Sequence, residues 1–364
     1  MAMESRPGTG RPGRPAYHNA SSAPECIPNT PRRAVRPAGR SCVNMPAPRY
    51  RRMALISELR YPTRWYAKLM IASVALVTFA VLATAVVSAF LLYRILEPER
   101  SRVNINARDF PGRPELVSFT VPGVGRREGW FFPGLRTAPT IVLCHGYQSN
   151  RGALLTLVTA LQDHQFNVFL FDFAGHGASP GYTTLGYRET LELRAALAAV
   201  AQRNDVDRSR FGLWGVNLGA YVAIAVAAAD PRVRAIAVES AYDQPAEMLH
   251  LQIQRSGLAA FPLVERLAGL GFSWLNREYR HEPPISQRLG RLGGVAKLFL
   301  MANDDPQLAE YTRELFLRAP EPREQVIVAR GNYAAMLDEE KRSYENRIVS
   351  FFLPNLAPSA RPRR

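Results

Sequence analysis

Seven short apolar runs, separated by stretches with helical patterns, constrain the fold of this 364-residue chain more than any other feature. The runs are four to six residues long and lie at Leu116–Val121, Thr140–Cys144, Val168–Asp172, Phe211–Trp214, Ala235–Val238, Lys297–Met301 and Gln325–Val328. Between them, Leu193, Leu197 and Val200 form an apolar stripe at helical spacing, and Leu218–Ala229 is apolar almost all round. Apolar strands that alternate with helices predict an α/β fold, with a mostly parallel sheet covered by helices on both faces.

The stretch Leu69–Tyr93 contains no charged residue over 25 positions. As a helix it would extend about 37 Å, which is enough to cross a hydrocarbon core of roughly 30 Å. A buried core helix is usually shorter or amphipathic. A signal peptide cleaved near Ala83-Thr84-Ala85 is the alternative, but the apolar run continues to Leu92, beyond the usual length of such a region. We therefore predict a retained transmembrane helix at 69–93.

The net charge of +15 is concentrated at the N-terminus. Residues 1–68 hold thirteen Lys and Arg against three Glu, a net of +10, so the remaining residues carry only +5. This segment is rich in Pro and Arg and has no apolar periodicity, which predicts a disordered tail, and we expect translation to begin within it at Met53. The distribution favours a membrane surface or an incidental extension over a nucleic-acid groove. It also favours an N-terminus inside the cell and a domain outside the cytoplasm.

Three local patterns occur in a fixed order within the α/β region. Thr140–Tyr147 is a strand that ends in His-Gly, and Val168–Gly181 is a strand that runs into a glycine-rich loop. Phe211–Gly219 is a strand, a tight turn around Asn217, and the start of an apolar helix. In their order and spacing these patterns resemble the α/β-hydrolase superfamily, and the resemblance covers residues 115–353.

The resemblance implies a role for each residue of the tight turn. Gly215 and Gly219 flank it because side chains there would strike the neighbouring strand or helix. In active members the central residue is strained, with φ above zero, and is a nucleophilic serine. Backbone N–H groups of Leu218 and Tyr147 would form the oxyanion hole. Here the central residue is Asn217, which tolerates positive φ but has no hydroxyl for a base to activate.

The resemblance also implies positions for an acid and a base. After the strand at Lys297–Met301, Asp305 best matches the orienting carboxylate, with Asp304 second, and the pair can equally serve as a helix cap. The base is missing, because Tyr333 stands where the superfamily has a histidine and no histidine follows His281. Tyrosine, with a pKa near 10, is a poor general base at neutral pH.

Other residues offer no second route to catalysis. His145 and His176 lie in the loops of the first two patterns, where an imidazole usually serves loop structure, and Cys144 is expected to be a buried apolar residue. No zinc, P-loop or dinucleotide pattern is present, so we predict no metal and no cofactor. Gln244–Leu292 interrupts the alternation with a helical, aromatic-rich insertion. We interpret it as a lid over a pocket for a small apolar or ester-like ligand.

Two classes of function follow from these residues. The first is a membrane-anchored pseudo-hydrolase that uses its pocket or its surface for binding. The second is an active esterase or lipase-like α/β hydrolase with atypical catalytic residues, in which Asn217 donates to the oxyanion or is deamidated to aspartate. The loss of two triad members favours the first class. The expected organisation is a tail at 1–68, the membrane helix, a linker at 94–114, the hydrolase domain at 115–353 and a disordered tail at 354–364.

Overall fold

The structure is a computed structural model that describes residues 64–100, 114–331 and 333–357. Most of the predicted basic tail, the expected start at Met53, most of the linker and most of the C-terminal tail therefore lie outside the described residues. Residues 68–364 belong to one compact unit.

A single eight-stranded sheet forms the centre of this unit, with the strand order β1-β2-β4-β3-β5-β6-β7-β8. The strands are β1 (Glu115–Val121), β2 (Gly125–Phe132), β3 (Thr140–Cys144), β4 (Asn167–Phe171), β5 (Phe211–Val216), β6 (Val233–Glu239), β7 (Ala296–Ala302) and β8 (Arg323–Val328). β2 pairs antiparallel with β1 and with β4, and every other neighbouring pair is parallel. The mostly parallel sheet predicted from the apolar runs is confirmed.

Helices cover both faces of the sheet. They are α1 (Trp65–Leu96), α2 (Leu155–Gln162), α3 (Tyr187–Val200), α4 (Leu218–Ala227), α5 (Pro245–Arg255), α6 (Pro262–Leu275), α7 (Ile285–Arg288), α8 (Pro306–Arg318) and α9 (Asp338–Asn355). One apolar layer contains the buried residues of α3, α4 and α8, and the other contains those of α2 and α9. Every residue of α4 is buried, as its uniformly apolar sequence requires.

β2 is the strand that the apolar pattern missed. Its sequence opens with Gly125 and two arginines, which do not suggest a strand with a buried face. Arg127 is nevertheless only 5% exposed, because its Nε donates to Oε1 of Glu192 in α3 at 2.9 Å. A buried charge is tolerated when a partner of opposite charge accompanies it. The ion pair therefore takes the place of an apolar side chain between the sheet and α3.

α1 is longer than the uncharged run that predicted it. It begins at Trp65, four residues earlier than expected, and ends at Leu96, three residues later. Within the described residues it is the one helix long and apolar enough to cross a membrane. Its side chains are mostly exposed as far as Val87 and become buried in part from Ser88 onward, where the helix meets the rest of the fold.

Candidate active site

The turn between β5 and α4 lies at the carboxyl edge of the sheet, where open α/β sheets place their ligands. Asn217 has a φ of 37° there, and its backbone N–H donates to the carbonyl oxygen of Glu239 at 2.9 Å. Close packing requires the two glycines: a Cβ on Gly215 would lie 2.3 Å from the carbonyl oxygen of Gly219, and a Cβ on Gly219 would lie 2.0 Å from that of Cys144. The turn has the geometry of a nucleophile elbow with an asparagine at its tip.

The side-chain oxygen of Asn217 is held by two backbone N–H groups. Its Oδ1 accepts hydrogen bonds from the backbone N–H of Leu218 at 2.5 Å and from that of Tyr147 at 2.7 Å. These are the two donors that the resemblance to hydrolases assigned to the oxyanion hole. In the arrangement that the resemblance implies, Asn217 Oδ1 therefore occupies the oxyanion hole itself. A ligand carbonyl can enter it only if the Asn217 side chain rotates away.

Buried imidazoles hold the loop that carries Tyr147. His145 is fully buried; its Nδ1 donates to the carbonyl oxygen of Gly146 at 2.8 Å, and its Nε2 accepts from the N–H of Phe173 at 3.0 Å. Burial lowers the pKa of His145, which keeps the ring neutral. His176, whose pKa burial lowers to about 3, bonds through Nδ1 to the carbonyl oxygen of Ala174 in the loop after β4, and its ring lies edge-on to that of Tyr147, with the centroids 5.8 Å apart. Both rings therefore support the loop that carries Tyr147.

The two candidate acids contact different parts of the site. Asp305 caps α8 by accepting from the N–H of Leu308 at 3.2 Å, and it forms an ion pair with Arg255 of α5. Asp304 instead accepts, through Oδ1, from the backbone N–H of Gly331 at 2.8 Å. The structure thus places Asp305, the preferred candidate, in the alternative role of a helix cap. Asp304 is the acid that contacts the loop after β8, where the base of a triad would lie.

Tyr333, the residue that the resemblance places at the position of that base, is only 3% exposed. Its hydroxyl accepts from Thr156 Oγ1 at 2.7 Å and donates to the carboxylate of Glu345. Its ring packs edge-on against Trp214, with the ring centroids 5.7 Å apart. Burial, together with the Glu345 carboxylate, raises the pKa of the hydroxyl above its usual value. The hydroxyl therefore keeps its proton at neutral pH and is unsuited to act as a general base.

A further acid, Glu239 at the end of β6, lies directly beside the turn and was not found from the sequence. It is fully buried. The hydroxyl of Tyr344 donates to its Oε2 at 2.5 Å, and Trp214 Nε1 donates in turn to the Tyr344 hydroxyl at 3.1 Å. Burial raises the pKa of Glu239 to about 8, so the carboxyl is mostly protonated at pH 7. In the sequence Glu239 is only the last residue of an apolar strand; its place beside residue 217 depends on strand order.

A cavity of about 400 Å³ opens above the turn, within the size range of small-molecule sites. Asn217, Asp305 and Tyr333 all line it, so the structure brings together the three positions assigned to a triad. Met248 and Arg255 of α5 form part of its wall. The segment between β6 and β7 is helical, as expected, and it contributes directly to this cavity.

The described residues offer little else for chemistry. None of their His, Cys, Asp and Glu side chains form a group of three or more that could hold a metal ion. Cys144 is a buried free thiol whose pKa is raised by burial, and its role is that of an apolar core residue. The polar side chains that line the cavity are therefore two amides, two serine hydroxyls, two carboxylates, one arginine and two tyrosines: Asn217, Gln148, Ser149, Ser240, Asp304, Asp305, Arg255, Tyr147 and Tyr333.

Comparisons with known proteins agree with this geometry. The family model described as serine aminopeptidase, S33, matches residues 136–280. The uncharacterized protein YfhR of Escherichia coli O157:H7 is 27% identical over 259 residues, which cover 68% of this chain and 84% of YfhR. The uncharacterized protein Rv2307c of Mycobacterium tuberculosis is 28% identical over 225 residues, which cover 60% of this chain and 71% of that protein.

A solved structure with the same fold is the esterase Pf2001 of Pyrococcus furiosus. It superposes with a TM-score of 0.58 at 20% identity and covers 72% of this chain and 99% of the esterase. The sheet order, the elbow and these matches define an α/β hydrolase fold. The fold confirms the resemblance that the three ordered patterns indicated.

Proposed function

We propose that this protein is a membrane-anchored pseudo-hydrolase that binds a ligand in the cavity above Asn217 without hydrolysing it. The observation that carries the proposal is the pair of hydrogen bonds from the N–H groups of Leu218 and Tyr147 to Asn217 Oδ1. A serine hydrolase needs a nucleophilic hydroxyl and an oxyanion hole that is free to receive the substrate. This chain has an amide in place of the hydroxyl, and the amide oxygen fills the hole.

The other two corners of the site support the same conclusion. The proton of Tyr333 is directed to Glu345, away from the turn, so a nucleophile at position 217 would find no acceptor there. Asp305 is engaged by Arg255 and by the N-terminus of α8. Each side chain that would have performed a catalytic step is committed to a structural contact instead.

The cavity supports a binding role. Its walls combine apolar side chains such as Met248 and Leu154 with the charged pair Arg255–Asp305, a mixture typical of small-molecule sites. A small ligand with an apolar body and an ester-like or carboxylate polar group fits this chemistry. In this proposal the segment 244–292 acts as the lid, because α5 supplies part of the cavity wall.

α1 supports the membrane anchor. From Leu69 to Val87 most of its large apolar side chains are exposed, among them Leu76 at 68% and Phe79 at 70%. A soluble protein buries such side chains in its core or against a partner, whereas lipid accepts them directly. The N-terminal basic tail at 1–68 would then lie inside the cell and the hydrolase domain, about residues 115–353, outside the cytoplasm.

Ester hydrolysis by the full-length protein tests the proposal. Wild type in detergent is offered p-nitrophenyl acetate, butyrate, octanoate and palmitate, and is then exposed to a fluorophosphonate probe. The matched control is Asn217→Gly, since glycine accepts the positive φ and removes the amide. We expect equal background turnover for both proteins and no adduct in the intact mass. Turnover by wild type that Asn217→Gly abolishes would instead establish an active hydrolase with atypical residues.

Membrane fractionation tests the anchor. We expect the full-length chain to resist carbonate extraction, and a soluble full-length chain would contradict the anchor. Protease added to intact cells should cleave the hydrolase domain. Protection of that domain would reverse the proposed orientation without affecting the anchor.

A further inference from the structure

The exposed side of α6 carries an apolar stripe. Leu263, Leu267, Leu270 and Trp274 follow one another at intervals of four, three and four residues, the spacing of one helix face. Leu270 and Trp274 are 67% and 65% exposed, although three other residues of α6 already pack into the domain, namely Val264, Ala268 and Phe272. The helix therefore buries one apolar face and leaves a second uncovered, which marks an interaction surface. We call the residues 263, 267, 270 and 274 the α6 stripe.

α1 fixes the level at which the α6 stripe lies. The space beside Gly271 of α6 is filled by Leu92 of α1: a Cβ on Gly271 would lie 2.8 Å from Leu92 Cδ2. Leu92 belongs to the last turn of the uncharged run, which ends at Tyr93 and is followed by Arg94. α6 thus contacts α1 where its uncharged run ends, which is the level of a membrane–water interface for a helix that spans the bilayer.

The end of α1 is fastened to the domain and cannot swing freely. The hydroxyl of Tyr147 donates to the carbonyl oxygen of Ile95 at 2.9 Å, and the N–H of Thr183 donates to that of Leu96 at 2.8 Å. Carbonyl oxygens in the last turn of a helix receive no hydrogen bond from an N–H group of the same helix. These two bonds therefore give them donors from the domain. Leu91, Leu92, Ile95 and Leu96 also belong to the apolar core of the domain. The position of α6 beside α1 is therefore a fixed feature of the fold.

We infer that α6 lies in the interfacial region of the same bilayer that α1 spans, with the α6 stripe facing the acyl chains. The inference rests on the membrane anchor of the proposed function and adds a second membrane contact to it.

The residues along the edge of the α6 stripe fit a lipid surface. Arg266 and Ser273 lie along that edge within α6, and Arg277 opens the short helical turn that follows α6. The guanidinium of Arg277 lies over the Trp274 ring, 5.3 Å from its centroid. Tryptophan is enriched at membrane interfaces, and arginine buries its stem in apolar surroundings while its charge reaches the headgroups. A helix with an apolar face and a basic polar edge lies in the plane of the membrane interface.

Site-specific fluorescent probes test the inference in the full-length protein. In a background with Cys26→Ser and Cys42→Ser, single cysteines are introduced as Leu270→Cys, Phe79→Cys and Leu317→Cys, labelled with an NBD probe and reconstituted into phosphatidylcholine vesicles. All three positions are exposed, so the labels disturb little packing. Leu317, which is 57% exposed on α8, is the matched control for Leu270, and Phe79 reports the anchor itself. Quenching by lipid-attached nitroxide is compared with quenching by aqueous iodide.

We expect lipid nitroxide to quench the probes at 79 and 270 several-fold more than the probe at 317, and iodide to show the reverse order. A probe at 79 that only iodide reaches would overturn the anchor and, with it, this inference. A lipid-quenched probe at 79 with an iodide-quenched probe at 270 would overturn the α6 contact alone. Shielding of position 270 from both quenchers would also overturn it, because another copy or another segment would then cover the stripe. Equal lipid quenching at 270 and 317 would show that no specific surface faces the bilayer.

Discussion

The turn around Asn217 and the loop around Tyr333 line one cavity, and they differ in different ways from the serine and the histidine that the resemblance implies at these positions. The turn has the backbone geometry of a nucleophile elbow and differs in a single side chain, whose oxygen accepts from two backbone N–H groups. The loop around Tyr333 keeps its place beside the cavity and changes its partners, because the tyrosine hydroxyl bonds to Thr156 and Glu345.

The contrast between the turn and the loop shows that close packing holds the backbone of the turn. Gly215 and Gly219 lie in such close contact with neighbouring backbone that the turn cannot change shape without disturbing two strands and a helix. Backbone donors therefore persist whether or not they are used for chemistry. A side chain on a loop has no such constraint, and here it has become part of a buried aromatic cluster with Trp214 and Tyr344.

The largest expected effect comes from restoring both halves at once. Triad members act as a unit, and the loss of a nucleophile or a base alone costs about 10⁶ in turnover. The single variants Asn217→Ser and Tyr333→His should each show no hydrolysis above background. The double variant should hydrolyse p-nitrophenyl esters at a measurable rate. Wild type already as active as the double variant would contradict the comparison.

The same double variant can distinguish the two acids. Asp304 contacts the loop that carries residue 333, whereas Asp305 caps α8. Adding Asp304→Ala should lower the gained activity by about 10⁴, the cost of losing the orienting carboxylate of a triad. Adding Asp305→Ala should lower the activity by much less. Its main effect should be on the free energy of unfolding, which should fall by about 1 kcal/mol because a helix cap is lost. The opposite order would assign the orienting role to Asp305.

A single added methyl group at Gly219 should displace the turn. Gly219→Ala would place a Cβ 2.0 Å from the Cys144 carbonyl oxygen, so the turn must shift, and we expect a loss of about 3 kcal/mol or more. Gly269→Ala in α6 is the control, because a Cβ there meets nothing within 4 Å and alanine favours a helix by up to about 1 kcal/mol. Thermal unfolding in detergent measures both. Equal stability of the two variants would show that packing does not hold the turn.

The structural role of Tyr333 predicts an effect on stability alone. Tyr333→Phe removes the bonds to Thr156 and Glu345 and should cost about 2 kcal/mol, since the buried tyrosine loses a hydrogen bond to a carboxylate. Tyr182→Phe, at a hydroxyl on an exposed side chain that accepts from Arg188, should cost less than about 0.5 kcal/mol. A Tyr333→Phe variant as stable as Tyr182→Phe would leave the tyrosine without a structural role.

The effect of Glu239 varies with pH. Its folded pKa of about 8 lies above the unfolded value of 4.5, so the folded state retains the proton longer. The stability that this carboxyl contributes is present below about pH 4.5 and is lost as the pH rises towards 8, by at most about 1.4 kcal/mol per pH unit. Between pH 6 and 7, wild type should lose stability relative to Glu239→Gln in urea titrations. A constant difference between the two proteins would mean that Glu239 is ionised in the fold.

The sequence predicted most of the fold because apolar strands leave a direct signal. β2 left none, since Arg127 depends on Glu192, 65 positions later, for its burial. The helical insertion was found, but the contact of Gly271 with Leu92 of α1 was not, because it joins residues far apart in the chain.

The candidate site rests on sequence patterns of the same kind. The glycine pattern predicts the turn at Asn217, and the order of the strands along the chain predicts the loops that follow β7 and β8. The sequence could not show which hydrogen bonds the side chains form. Asn217 Oδ1 accepts from the N–H of Tyr147, and Asp304 rather than Asp305 accepts from the loop after β8. Glu239 lies beside the turn, where its carbonyl oxygen accepts from the N–H of Asn217. These depend on rotamers and on contacts across the sheet.

Residue-resolved amide hydrogen exchange tests the occupied oxyanion hole most directly. Leu218 is the first residue of α4, so its N–H has no acceptor within the helix and owes its protection to Asn217. In wild type, the amides of Leu218 and Tyr147 should exchange slowly, and in Asn217→Gly both should accelerate together. The amide of Phe173, which donates to His145, should stay unchanged in both proteins. Fast exchange of Leu218 and Tyr147 in wild type, or no acceleration in the variant, would contradict an oxyanion hole filled by the residue that replaced the nucleophile.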